Sequence, residues 1–98
     1  MTNRLRLKNK VAIVTGAGSS GPGIGNGKAT AILFAREGAR VLLADLCEER
    51  AHETLLSIEA EGGNASILTV DVTNKESCSN MIDETVRRYG QIDVLVNN

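Results

Sequence analysis

The stretch VAIVTGAGSSGPGIGNG, running from Val11 to Gly27, decides the reading of the chain. Val11, Ala12, Ile13 and Val14 are uninterruptedly apolar, which suits a strand in a parallel sheet covered on both faces. A glycine-rich turn follows at once, and glycine lets a backbone bend sharply and lets a ligand approach the main chain. Lys28 to Glu37 then reads as a helix. Strand, glycine loop and helix in that order bring free N–H groups and the positive end of a helix dipole to one spot, where an anion is favoured. The chemistry this implies is holding the pyrophosphate of a dinucleotide. The bland alternative is a glycine-rich structural turn.

Outward from this stretch the same alternation repeats. Gly38 supplies a helix stop, and Val41–Asp45 predicts a second buried strand. Glu48–Glu61 predicts a second helix, with Ala51, Leu55 and Ile58 at helical spacing and Gly62-Gly63 ending it. Ser66–Asp71 predicts the third strand. Thr73 with Glu76 fits a capping box opening a third helix, which carries Met81, Thr85 and Tyr89 on one stripe, Ile82 and Val86 beside it, and closes at Gly90. Ile92–Asn97 predicts the fourth strand. The order β-α-β-α-β-α-β with short loops predicts a parallel sheet joined by right-handed crossovers.

Composition narrows the function classes. The chain has 98 residues, 42% hydrophobic, with a net charge of −1, which offers no basic surface to nucleic acid. Phe34 and Tyr89 are the only aromatic residues, so bases find no stacking platform. No apolar run approaches the roughly 20 residues of a membrane span. Met1–Lys10 is basic but lacks the apolar core of a signal peptide. Cys47 and Cys78 form no Cys-x-x-Cys pair and His52 is the only histidine, so no metal site is expected. Free thiols predict a reducing, cytoplasmic setting.

Gly16-Ala-Gly18-Ser-Ser-Gly21 matches the G-x-G-x-x-G pattern, and Asp45 ends the second strand 20 residues beyond Gly25. A carboxylate there can accept hydrogen bonds from both hydroxyls of an adenosine ribose, each contributing about 1.5–3 kcal/mol. The same charge repels a 2′-phosphate. No Arg or Lys lies between Gly16 and Gly27, and Leu46 follows Asp45, so the electrostatics favour NAD over NADP. The alternative for Asp45 is a solvated helix cap.

The sequence resembles the short-chain dehydrogenase/reductase family at four places: Thr15-Gly16, Asp71-Val72-Thr73, Asp93–Asn97 and the Asn97-Asn98 pair. The resemblance covers nearly the whole chain. It implies a Rossmann-type doubly wound α/β sheet of order 3-2-1-4, with residues 1–98 as its NAD-binding N-terminal half. It further implies adenine contacts from Asp71 and Val72, a place for Asn98 near the nicotinamide ribose, and a sheet-stabilising role for Asn97. The family pattern Thr-Gly-x-x-x-Gly-x-Gly is interrupted here. Anchored on the helix at Lys28–Ala39, the glycine pair becomes Gly25-Asn26-Gly27 and the loop carries a five-residue insertion. A surface loop absorbs such a change more easily than a helix between buried strands. Pro22, which donates no N–H, is expected in the bulge, away from the phosphate. The expected cofactor contacts are then Gly16, Gly18, Ser20, Gly25, Asn26, Gly27, Asp45, Leu46, Asp71, Val72 and Asn98.

The family's catalysis uses a Ser and a Tyr-x-x-x-Lys pair. Here Tyr89 is followed four residues on by Asp93, and Tyr89 reads as helix packing. The chain is therefore expected to lack catalytic residues, to be inactive alone, and to represent half of a homo-oligomeric enzyme acting on an alcohol or ketone. Two other functions remain open: a nucleotide-binding module without catalysis, and an S-adenosylmethionine-dependent methyltransferase, against which Thr15 counts because that class places an acid before its glycines.

Overall fold

The apolar run becomes β1 (Val11–Thr15), buried at every position. The structure, a computed structural model, describes residues 5–19 and 26–98. After β1 come α1 (Gly27–Arg36), β2 (Arg40–Asp45), α2 (Glu48–Ala60), β3 (Asn64–Thr69), α3 (Lys75–Tyr89) and β4 (Val94–Val96). The strands form one parallel sheet in the order β3-β2-β1-β4, the doubly wound α/β arrangement expected from the sequence. Ile13 lies opposite Leu42 on one side and Leu95 on the other.

The period of two along β1 and β2 sends alternate side chains to opposite faces. Ala12, Val14, Val41 and Leu43 meet Ala31 and Ala35 of α1 and Ala51 and Ile58 of α2. The alanines let both helices lie close to the sheet. Ile13, Leu42 and Ala44 point the other way, with Val70, toward Met81 of α3. Each fully buried Leu or Ile contributes about 1.5–3 kcal/mol. The α3 face is covered less completely: Ile82 (38% exposed), Val86 and Leu95 (52%) stay open to solvent.

Several boundaries move for identifiable reasons. β3 stops at Thr69, short of Asp71, because the Asp71 carboxylate accepts from Thr73 N (2.9 Å) and Thr73 Oγ1 (2.6 Å) and turns the chain. That use of the hydroxyl removes Thr73 as a cap. Asn74 takes the position instead, accepting from Ser77 N at 2.9 Å, and the Thr73–Glu76 capping box is not formed. β4 is three residues long because side chains take over at its ends. Asp93 Oδ2 accepts from Val11 N (2.8 Å), and Asn97 Oδ1 accepts from the Thr15 hydroxyl (3.0 Å). On α2 the buried stripe is Ala51, Thr54 and Ile58, with Leu55 only half-buried. α3 ends as predicted at Gly90, in the left-handed conformation.

At the amino edge of the sheet, the Tyr89 hydroxyl pairs with the Ser66 hydroxyl at 2.5 Å, and the Arg40 guanidinium lies over its ring. Arg88 donates to Ser66 Oγ and to Ile67 O, each at 3.0 Å, and is itself held by Glu84 at 2.7 Å. No helix among the described residues is long and apolar enough to cross a membrane.

Candidate functional site

Parallel strands deliver all their carboxyl ends to one edge, and the order reversal between β1 and β4 opens a crevice there. Gly16, Asp45, Asp71 and Asn98 stand at or just past the ends of β1, β2, β3 and β4. The structure thus brings together, along one edge, the residues singled out in the sequence. Ser20 and Gly25 lie outside the described residues, as does Pro22.

Gly16 turns the chain out of β1 with φ +61°, a conformation that strains any residue with a Cβ. Its carbonyl accepts from Ser19 N at 3.0 Å and closes a tight turn. Gly27 opens α1 directly against it: a Cβ on Gly27 would come within 2.0 Å of Gly16 O. Gly27 therefore serves close packing of the helix on the turn. Asn26 caps α1, its Oδ1 accepting from Ala29 N at 3.0 Å.

Gly18 has a different duty. Its N–H donates to Asp45 Oδ2 at 2.8 Å, and a Cβ there would fall 2.3 Å from Arg50 Cβ. The glycine is required by the first turn of α2. Asp45 also accepts from Cys47 N through Oδ1, at 2.9 Å. Each carboxylate oxygen keeps further acceptor capacity, since an ionised carboxylate offers about four lone-pair sites. Asp45 is half-buried, while Leu46 beside it is 70% exposed and borders an open depression of about 650 Å³ lined by Cys47, Glu48, Glu49 and His52. Val72 presents a second exposed apolar side chain after β3. The hydroxyl and backbone hydrogen bonds from Thr73 hold the Asp71 carboxyl below the usual carboxylate range.

Asn98 is tied into the base of the glycine turn. Its Nδ2 donates to Thr15 O (2.8 Å) and its backbone N to Thr15 Oγ1 (2.9 Å). Thr15 is 2% exposed, so these bonds satisfy buried polar groups and pin β4 to β1 beneath Gly16. Asn97 completes the clamp through Thr15 Oγ1.

Two residues beside the loop escaped sequence reading. Arg50 packs its Cβ and backbone against Gly18 from the first turn of α2. Thr54 donates to Ala17 O at 2.9 Å. The available signal was a polar residue on the buried stripe of an otherwise apolar helix face. Tyr89 stands at the opposite edge of the sheet, bonded to Ser66, and takes no part in this site. Cys47 and Cys78 are free thiols. Among the described residues no group of three His, Cys, Asp or Glu side chains is placed to hold a metal ion.

A sequence profile for short chain dehydrogenase matches residues 10–98. The 3-oxoacyl-[acyl-carrier-protein] reductase of Thermotoga maritima is 38% identical over 94 residues, which cover 96% of this chain and 36% of that protein. The 7alpha-hydroxysteroid dehydrogenase of Escherichia coli is 37% identical over 97 residues, covering 99% of this chain and 36% of that one. A crystal structure of hydroxysteroid dehydrogenase from Escherichia coli superposes with a TM-score of 0.87 at 39% identity, covering 97% of this chain and 38% of that chain. The chain thus spans little more than a third of the length of the proteins it matches.

Proposed function

The chain belongs to the short chain dehydrogenase family, and from that premise we propose that residues 1–98 are the NAD-binding half of an oxidoreductase acting on an alcohol or ketone. The observation that carries this reading is the Asp45 carboxylate, held at the end of β2 against the glycine turn. Its remaining lone pairs accept hydrogen bonds from the two hydroxyls of the adenosine ribose. Gly16 leaves the main chain open to the pyrophosphate, with Ser20, Gly25 and the start of α1 at Asn26 and Gly27 completing the loop contacts. Leu46 and Val72 flank the adenine, Asp71 meets its edge, and Asn98 stands by the nicotinamide ribose.

Bound at this site, the nicotinamide supplies hydride transfer. The chain's own residues bind and orient. The proton on the substrate oxygen needs an acid/base that these residues do not include, because Tyr89 faces away and is paired with Ser66. The chain alone is accordingly inactive, and the Ser and Tyr-x-x-x-Lys residues belong to the remainder of a longer enzyme. The short share of each relative that the chain covers supports this division. An oxo group in one relative's name and a hydroxyl in the other's support an alcohol or ketone as substrate. We place the intact protein in the cytoplasm, as a homo-oligomer.

Preference for NAD follows from charge. A 2′-phosphate carries about two negative charges at neutral pH and would meet the Asp45 carboxylate. Calorimetric titration of the intact protein with NAD and NADP tests this. NAD is expected to bind about tenfold tighter or more, the size of one charged hydrogen bond. Equal or tighter binding of NADP would overturn the assignment.

A further inference from the structure

The buried stripe of α2 carries one polar residue that no cofactor contact uses. Thr54 is fully buried, and its hydroxyl donates to Ala17 O at 2.9 Å. The acceptor within its own helix, Arg50 O, lies farther away at 3.4 Å. Valine would have the same shape and no hydrogen-bond demand, so the hydroxyl is there for the loop. Ala17 O belongs to the peptide group whose N–H, on Gly18, donates to Asp45 Oδ2 at 2.8 Å. Hydroxyl, peptide and carboxylate therefore run in series, each donor polarising the next bond in the same sense. Ala17 N is fixed as well, on Ala44 O at 3.2 Å.

We propose that Thr54 is a positioning residue for Asp45, setting the carboxylate through the Ala17–Gly18 peptide so that it meets the vicinal hydroxyls of a ribose. This rests on the reading of Asp45 as the ribose acceptor. Without the hydroxyl, the buried Ala17 carbonyl loses its donor and the peptide plane turns toward another. Gly18 N–H turns with it, and Asp45 keeps only the Cys47 N–H on its other oxygen.

The test uses the intact protein and two probes: NAD, and NAD whose adenosine lacks the 2′-hydroxyl. Calorimetry gives the ratio of their dissociation constants. The unsubstituted protein is expected to favour NAD by about tenfold or more. Thr54→Val should reduce that ratio to about threefold or less, and Thr54→Ser should restore it. A purely structural Thr54 would lower the unfolding temperature and leave the ratio unchanged, and that result overturns the proposal. Should Thr54→Val not fold, Thr54→Ala is read in the same way. If the unsubstituted protein binds both probes equally, the ribose reading of Asp45 itself fails and this proposal falls with it.

Discussion

Replacing Gly27 with alanine tests the closeness of α1 to the glycine turn. The added Cβ would lie 2.0 Å from Gly16 O and 2.7 Å from its carbonyl carbon. Comfortable separations are about 3.5–4.0 Å, so the turn or the helix must yield by more than about 1 Å. Backbone stands opposite, and no side chain can swing aside. Overpacking of this kind costs about 1–3 kcal/mol, and a backbone obstacle puts the cost at the upper end. Alanine regains up to about 1 kcal/mol of helix propensity. The net loss is about 2 kcal/mol. At about 4–8 °C per kcal/mol for a domain of this size, Tm falls by about 8–16 °C. Gly62→Asn is the control. Gly62 has φ +80° and nothing within 4 Å, and asparagine tolerates that conformation, so Tm should move by only a few degrees. Thermal unfolding of the 98-residue chain by circular dichroism reads both. A Gly27→Ala melting within about 2 °C of the unsubstituted chain would refute the packing role.

Asp45→Ala combined with Leu46→Arg should shift cofactor preference toward NADP; unchanged selectivity in titrations with both cofactors counts against Asp45. Ile13→Ala, at a fully buried site at the centre of the sheet, should cost about 2–5 kcal/mol in urea denaturation, and a smaller loss would mean that the α3 face collapses to fill the cavity. Acid should destabilise the chain through its depressed carboxyls, Glu84 and Asp93 among them. Arg87 and Arg88 hold Glu84 down at about 2 from an ordinary 4.5, and the Val11 N–H, the Gln91 amide, Lys10 and Arg40 lower Asp93. Both are depressed in the fold, so their stabilisation is complete above the ordinary carboxylate range and is lost as pH falls toward the folded values. The urea midpoint should therefore drop between pH 4.5 and 2, and Glu84→Gln should flatten that drop; an unaltered pH profile in the variant would dispose of the Glu84 contribution.

The sheet was legible because its strands are short apolar runs punctuated by glycine, and because right-handed crossovers leave little topological choice. The place of Asp45 at the end of β2 was legible from the apolar run before it. What the sequence hid depends on which of two competent neighbours wins, or on contacts between elements far apart in the chain. Thr73 and Asn74 can both cap a helix, and the decision falls to Asp71, which captures the Thr73 hydroxyl. The ends of β4 were overdrawn because Asp93 and Asn97 look like strand residues but use their side chains to bond β1. Gly18 reads as a ligand-approach glycine in the motif, yet Arg50, 32 positions later, is what crowds it. Nothing in linear spacing marks Thr54 as a partner of Ala17; only the docking of α2 on the loop does.

β3 forms one margin of the sheet, and unpaired strand margins invite a second chain to add on. Here the Ile67 carbonyl is already taken by Arg88, whose guanidinium is clamped by Glu84. An incoming strand must displace a cation to reach the Ile67 carbonyl, and it then meets that cation's charge. The guard depends on an ionised Glu84. Once strong acid protonates that carboxyl, Arg88 loses its ionic clamp and is held only by its bonds to Ser66 and Ile67. The β3 margin is thus better shielded against strand addition at neutral pH than in acid.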